Sequence, residues 1–299
     1  MTATTRFAGI ELGGTKAIAV LAMGDTIVDR HVVPTTQPEP TLSALRAVLD
    51  DWNRQAPLDG LGIASFGPIQ LDPHHADFGR ILATPKPGWT GAAVATTLTN
   101  GLACPWAIDT DVNGAALAEY RWGAGQGCDS LCYITIGTGL GGGILIDGRP
   151  VHGALHPEIG HLHLRRAAGD NFAGACPFHS DCIEGLVSGP ALRARFGMDP
   201  ATAADEDPIW QQVASDIAEL CSAILLTTSA RRILFGGSVA LSRAFLLPAI
   251  RARMVERLGS YLPFVDAASA EAIIQPAGLG TEAGPLGAIA LAQAASTRP

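Results

Sequence analysis

Between residues 6 and 33 the chain runs through three short apolar segments, RFAGIEL, AIAVLAM and TIVDRHVV, separated only by the turns GGTK and MGDT. A parallel crossover needs a dozen residues or more, so strands joined this tightly must pair antiparallel. The same device returns in the second half. SLCYITIG, GTGLGGG and ILIDG read as strand, glycine turn and strand, with DG at 147–148 as a hairpin signal and RPVHG as the returning strand. The repeat lies in the placement of the glycine hairpins, not in residue identity. It predicts an α/β protein of two similar lobes with a cleft between them, residues 1–112 and 113–299. That division agrees with a soft expectation of ~150 residues per domain.

Between the hairpins, Thr41 is placed as the cap of a helix through LSALRAVLDDWNRQ, with Leu42, Leu45, Val48 and Leu49 on its apolar face. GLGIAS and PWAID read as buried strands, separated by a Pro- and Gly-rich stretch from Phe66 to Trp89 whose length suggests function or structure of its own. NGAALAEYRW reads as a helix. A long helix from Ile209 to Thr228, a strand RRILF, the turn GGS, a helix from Ala240, a strand EAIIQP and a last helix after GLGTEAGPL complete the order. The last helix is expected to pack back on the first lobe.

Composition narrows the function. A formal charge of −8 argues against a nucleic-acid or anionic-membrane partner, both of which need a basic face. No apolar run reaches the ~20 residues of a membrane span, and MTATTRFAGI lacks a signal-peptide core, so a cytoplasmic setting with reduced thiols is expected. Cys104, Cys128, Cys132 and Cys221 then read as small core residues.

Glycine turns expose backbone N–H groups that phosphate oxygens can approach closely. Gly13, Gly14, Thr15 and Lys16 form one such turn, and Gly137, Thr138, Gly139, Gly141, Gly142 and Gly143 another. FGGS, with Gly236 and Gly237, follows a strand and precedes a helix. GxxxxGK[ST] is absent, and neither hairpin is followed by the helix of a dinucleotide fold. Together the three turns point to a nucleotide between the lobes. CPFHSDC adds a different chemistry: Cys176, His179 and Cys182 supply three soft ligands where zinc takes four in a closed structural site. By spacing, His156, His161 and His163 all compete for the fourth place.

ELGGTK, DVNGAALAEYRWGAG, ITIGTGLGGGILIDG, HPEIGH, CPFHSDCIEG and ILFGGS resemble the ROK sugar kinases of the actin-like ATPase superfamily. HPEIGH with C-x2-H-x2-C, TPKPGW, and Glu before LGGTK resemble most the bacterial zinc-containing fructokinase branch. The resemblance implies two ribonuclease-H-like lobes, commonly in a homodimer, and transfer of the γ-phosphoryl group of ATP, with magnesium, to a hexose. D-fructose is the expected acceptor. Mannose, glucose or an N-acetylated amino sugar remain alternatives, as does a sugar-sensing regulator lacking its DNA-binding domain, which Arg6 as the start of the first strand disfavours.

Carried onto this sequence, the resemblance makes Asp111 the general base, against the alternative that Asp109 or Asp111 simply caps the following helix. Asn113, Glu158, His161 and Glu184 become sugar contacts, with Gly67, Pro68, Lys86 and Trp89 shaping the pocket wall. Thr110 stands where many relatives have Asn. Gly13, Gly14, Thr15, Lys16, Thr138, Gly139, Gly236 and Gly237 are expected to meet the nucleotide, and Glu11 the magnesium, directly or through water. His161 is the implied fourth zinc ligand, so that the metal serves as a scaffold.

Overall fold

The computed structural model describes residues 5–297; residues 1–4 and 298–299, the outer ends of the two expected lobes, lie outside the described residues. Two compact units are present. The first comprises the chain up to Arg121, Arg149–Pro157 and the segment from Thr281 onward; the second comprises Trp122–Gly148 and Glu158–Gly280.

In the first unit β1 (Arg6–Leu12), β2 (Lys16–Met23) and β3 (Thr26–Pro34) form the antiparallel meander that their short turns require. β4 (Gly60–Ser65) and β5 (Trp106–Thr110) extend it in parallel, giving the order β3-β2-β1-β4-β5. Helix α1 (Pro38–Gln55) buries Leu42, Leu45, Leu49 and Trp52 against this sheet, and α2 (Val94–Thr99) adds Val94, Ala95 and Leu98 to the same core. Thr41 does not cap α1. Pro38 suits the first turn, where no N–H is needed, so the helix starts earlier. Thr41 then sits inside it, its hydroxyl accepting from Thr36 N–H at 3.0 Å. The stretch from Phe66 to Trp89 has local structure of its own, with an antiparallel bridge between Ile69 and Ile81 and with Trp89 fully buried.

Helix α3 (Asp111–Trp122) follows β5 directly, and the sequence-based divide after residue 112 falls inside it; the compact units part only after Arg121. The reason is packing. Gly114 of α3 lies so close to Gly287 that a Cβ at Gly287 would fall 2.3 Å from the Gly114 carbonyl carbon. Gly287 belongs to the last helix, α10 (Ala283–Ser296) in the numbering that follows, which also crosses β4 where a Cβ at Gly62 would meet the Ala288 carbonyl oxygen at 1.9 Å.

The second sheet repeats the pattern. β6 (Ser130–Ile136) and β7 (Leu140–Ile146) form the hairpin, a turn at Asp147–Gly148 leads to β8 (Arg149–Pro150), and β9 (Arg232–Gly236) and β10 (Ile274–Pro276) add parallel strands, in the order β10-β9-β6-β7-β8. Three sequence expectations need correction here. The glycine turn is limited to residues 137–139, because Gly141, Gly142 and Gly143 lie inside β7; at Gly142 a Cβ would come within 2.1 Å of the Ile159 side chain. RPVHG contributes two strand residues only. EAIIQP divides into α9 (Ala270–Ile273) and β10.

Helices α4 (Ile183–Val187), α5 (Gly189–Phe196) and α6 (Pro208–Thr228) cover this sheet, α6 starting at an Asp207 cap whose carboxylate accepts from Ile209 N–H. The single helix expected from Ala240 is two, α7 (Ser238–Ser242) and α8 (Leu247–Leu258), with Pro248 restarting the second. No helix among the described residues is long and apolar enough to cross a membrane.

Candidate functional site

In the first unit the polar groups converge where β5 hands over to α3. Thr110 is the residue that caps the helix: its Oγ1 accepts from Asn113 N–H at 3.1 Å. Asp111 is thereby released from capping and, apart from accepting its neighbour Val112 N–H at 2.9 Å, keeps its carboxylate available. Its surroundings remove water, and burial pushes its carboxyl from the ordinary 3.8 up to about 6. Glu11, at the end of β1, feels the same environment. Burial first, and then the Asp111 charge, raise its carboxyl to about 7, against the opposing pull of Lys16 and Arg30.

Asp109 takes no part in capping either. It is buried, and its Oδ1 accepts from Thr110 N–H at 2.8 Å and from Asn113 Nδ2 at 2.7 Å. His152, a residue the sequence reading passed over, reaches the same carboxylate with Nε2 at 3.0 Å from Oδ2. Asn113 is therefore fully buried with its amide nitrogen turned toward Asp109. Four residues beyond His152, buried His156 accepts Ile69 N–H on Nε2 at 3.2 Å and lies against Gly67, beside Pro68. Burial holds the His156 ring below its usual pKa, which suits the neutral acceptor.

Around the first hairpin Gly14, Thr15 and Lys16 are exposed. Lys86 braces the turn from behind, donating from Nζ to the Gly14 carbonyl at 2.5 Å. Trp89 donates from Nε1 to the Thr36 carbonyl at 2.8 Å and is wholly buried, so it is part of the core of the first unit.

In the second unit the β6–β7 turn presents an exposed Thr138 between Gly137 and Gly139. Glu184, in the first turn of α4, accepts Leu140 N–H on Oε2 at 3.0 Å. Glu158 is exposed, next to the short 3-10 turn Ile159–His161. The third glycine turn is less open than its sequence suggests. Gly236 is buried, where a Cβ would strike the Tyr133 hydroxyl at 2.1 Å, while Gly237 adopts a positive φ of 83° that admits the chain to α7.

Four of the candidate metal ligands lie together in the second unit. His161, Cys176, His179 and Cys182 bring one donor atom each within 4.8 Å of all the others. His161 Nδ1 is 3.3 Å from His179 Nδ1, 3.8 Å from Cys176 Sγ and 3.7 Å from Cys182 Sγ. Zinc bonds of about 2.0–2.1 Å to nitrogen and about 2.3 Å to sulfur put tetrahedral neighbours about 3.3–3.8 Å apart, so the four residues fit that ion. The competing histidines are occupied elsewhere: His156 at Ile69, and His163 beside Asp181, with Nδ1 3.3 Å from Oδ1. The knuckle itself is a tight turn in which Cys176 and Ser180 exchange both backbone hydrogen bonds at 3.0 Å.

Residues 7–295 match the ROK family. The fructokinase of Zymomonas mobilis is 41% identical over 306 residues, which cover 97% of this chain and 97% of that protein. That of Pediococcus pentosaceus is 37% identical over 289 residues, covering 96% and 97%. Among solved structures, the ROK hexokinase of Thermus thermophilus superposes with a TM-score of 0.77 at 27% identity, covering 97% of this chain and 98% of its own. A ROK family glucokinase from Streptomyces griseus, solved with glucose and AMPPNP, shares the fold with a TM-score of 0.73 at 24% identity, covering 97% and 99%. The two five-stranded sheets are thus those of an actin-like ATPase fold.

Proposed function

The chain belongs to the ROK family, and from that premise we propose that it is a fructokinase, transferring the γ-phosphoryl group of ATP to a hydroxyl of D-fructose to give fructose 6-phosphate and ADP. The observation that carries the chemistry is Asp111. It is relieved of capping by Thr110 and its carboxyl is raised to about 6, so at neutral pH it is ionised yet basic enough to take a proton.

A sugar hydroxyl is a weak nucleophile. As its oxygen bonds to the γ-phosphorus, its proton passes to the Asp111 carboxylate and the bond to the ADP oxygen breaks. A base so placed contributes roughly 10²–10⁴-fold. Asn113 is read as a sugar contact, together with Glu158, His161 and the Gly67–Pro68 wall. A sugar of the wrong shape would leave some of these groups unpaired, which is the source of selectivity. The turns Gly13–Lys16 and Thr138–Gly139, with Gly237, are read as holding the phosphates through backbone N–H groups.

Glu11 is the candidate for magnesium. Two raised carboxyls, Glu11 and Asp111, repel one another in a poorly solvated place, which favours a cation near Glu11. Magnesium, when bound, offsets charge on the phosphates and keeps several waters, so Glu11 would hold it directly or through one of them. His161, Cys176, His179 and Cys182 would hold zinc as a closed set with no place for a reacting water, and the ion would supply cross-linking only. Because Nδ1 is the His161 atom in that cluster, Nε2 is the one left for the sugar. The expected setting is a cytoplasmic homodimer, and light scattering tests the assembly.

The deciding experiment is ADP release with magnesium and ATP, measured separately with fructose, mannose, glucose and N-acetylglucosamine. Preference for fructose, with mannose second, supports the assignment. Preference for another sugar keeps the mechanism and changes the substrate. No turnover with any of them overturns the kinase reading.

A further inference from the structure

We propose that Glu184 is a positioning residue for the Gly137–Leu140 turn and thereby sets affinity for the nucleotide, whether or not sugar is present. The inference rests on reading that turn as phosphate-binding. Its own support is geometric. Glu184 stands in the first turn of α4, two residues after the metal-cluster residue Cys182, and its Oε2 accepts Leu140 N–H at 3.0 Å. The same oxygen would lie 2.8 Å from a Cβ at Gly139, so the carboxylate presses against the turn where only glycine leaves room. On the other arm, Gly189 N–H donates to the Gly137 carbonyl at 2.7 Å. Both arms of the turn are therefore fastened to one continuous segment, Cys182 to Gly189. Between them Gly137 N–H closes the loop on the Gly139 carbonyl at 2.9 Å, and Thr138 is left exposed.

The far side of the turn's base is fixed as well. A Cβ at Gly160 would strike the Leu140 carbonyl oxygen at 2.0 Å, and Gly160 is the neighbour of the metal-cluster residue His161. Ile183 N–H, one residue past Cys182, donates to the Leu162 carbonyl at 3.0 Å. Leu140 is thus gripped by two segments, each carrying a metal-cluster residue, and among the described residues Glu184 is the one side chain that bonds its backbone. Backbone N–H groups bind phosphate well only when the loop already holds them in place, because ordering a loop on binding weakens affinity.

The test is calorimetric binding of a non-hydrolysable ATP analogue with magnesium, in the absence of sugar, to wild type, Glu184→Ala and Glu184→Gln, with metal content checked for each. The alanine variant leaves Leu140 N–H without its acceptor and should bind the analogue about tenfold more weakly or worse. The glutamine variant keeps a carbonyl oxygen to accept that N–H and should bind within about twofold of wild type, while its KM for the sugar rises if the carboxylate also meets a hydroxyl. Unchanged analogue binding by Glu184→Ala, or equal losses in both variants, would overturn the inference and leave the kinase assignment standing. A wild-type protein that binds no nucleotide without sugar, yet turns over, would overturn it too; one that neither binds nor turns over would remove the kinase reading itself.

Discussion

His152 Nε2 stands 3.0 Å from Asp109 Oδ2, and the other oxygen of that buried carboxylate holds Asn113 Nδ2 at 2.7 Å. The consequence is an orientation. With one N–H given to Asp109 and the nitrogen also 3.5 Å from His152 Nε2, Asn113 turns its carbonyl oxygen away from that pair, so toward a sugar that oxygen acts as an acceptor.

His152 should therefore matter for sugar affinity without touching the phosphate chemistry. Replacing His152 with Ala is expected to raise KM for fructose about tenfold, the size of one charge-assisted hydrogen bond, with KM for ATP unchanged and kcat lowered less than KM is raised. His152→Gln, which still offers a donor, should recover much of the loss. Steady-state kinetics with each substrate varied in turn check this, and an equal effect on both KM values would refute it.

How this arrangement relates to the sequence is instructive. The hairpins were legible because turn length alone dictates antiparallel pairing, and the Cys–His knuckle because its ligands lie within a few residues of one another. His152 was not. It lies 43 residues from Asp109, in a segment that reads as the tail of a hairpin, and only folding returns it to β5. Glu184 is likewise 44 residues from Leu140, so the sequence marks it as polar without saying which backbone it grips. Thr41 and Thr110 show the local limit. Each is a hydroxyl near a helix start, and Pro38 decided against the first while the absence of any such proline left the second to cap.

Asp111 at about 6 predicts the acid side of the rate profile. The base must be ionised, so kcat/KM should fall as pH drops through about 6 and be flat above it. At limiting magnesium a second step near 7 is expected from Glu11, whose carboxyl is raised by burial and by the Asp111 charge; a bound cation would stabilise the ionised form and pull that step down. Because the two groups interact, the apparent values belong to the pair. Asp111→Asn should lose roughly 10²–10⁴-fold in kcat and keep fructose binding.

The same carboxyl makes a prediction about stability, with the opposite sign from an ion-paired aspartate. In the folded chain Asp111 holds its proton more tightly than in the unfolded chain, so between pH 3.8 and about 6 the folded state binds more protons and stability declines as pH rises. Above about 6 the penalty is complete. Asp111→Asn has no charge to desolvate. Its melting temperature should exceed that of wild type at pH 8, and the difference should shrink toward nothing below pH 4. Thermal scans of both proteins without ligands or magnesium measure this directly; a gap independent of pH would remove the desolvation argument.

The His161, Cys176, His179 and Cys182 set predicts about one zinc per chain by elemental analysis. Cys182→Ser, or extraction with a chelator, should remove the metal and expose the loop from residue 167 to 175 to protease, with a lowered thermal midpoint. A metal-free protein that is as stable and as protease-resistant as the loaded one would end the scaffold role.

The loop leading to Cys176 has a second anchor. The Arg195 side chain of α5 is 2% exposed and donates to Asp170 at 2.5 Å and to Asp216 of α6 at 2.8 Å, both acidic side chains being equally buried. Arg166 also reaches Asp170, at 2.9 Å, but Asp216 has no second cation within bonding distance among the described residues. Arg195→Leu therefore strands a buried charge, and removing one partner of such a group costs about 3–5 kcal/mol. The loss should appear as an earlier urea midpoint at neutral pH. Adding Asp216→Leu to Arg195→Leu should restore part of it, since the stranded carboxylate is then gone. If Asp170 is what ties the loop to the helices, the single variant should also surrender its metal to a chelator faster than wild type does. Should the double variant be no better than the single one, the cost lies in lost packing of the long arginine stem and not in the charge it leaves behind.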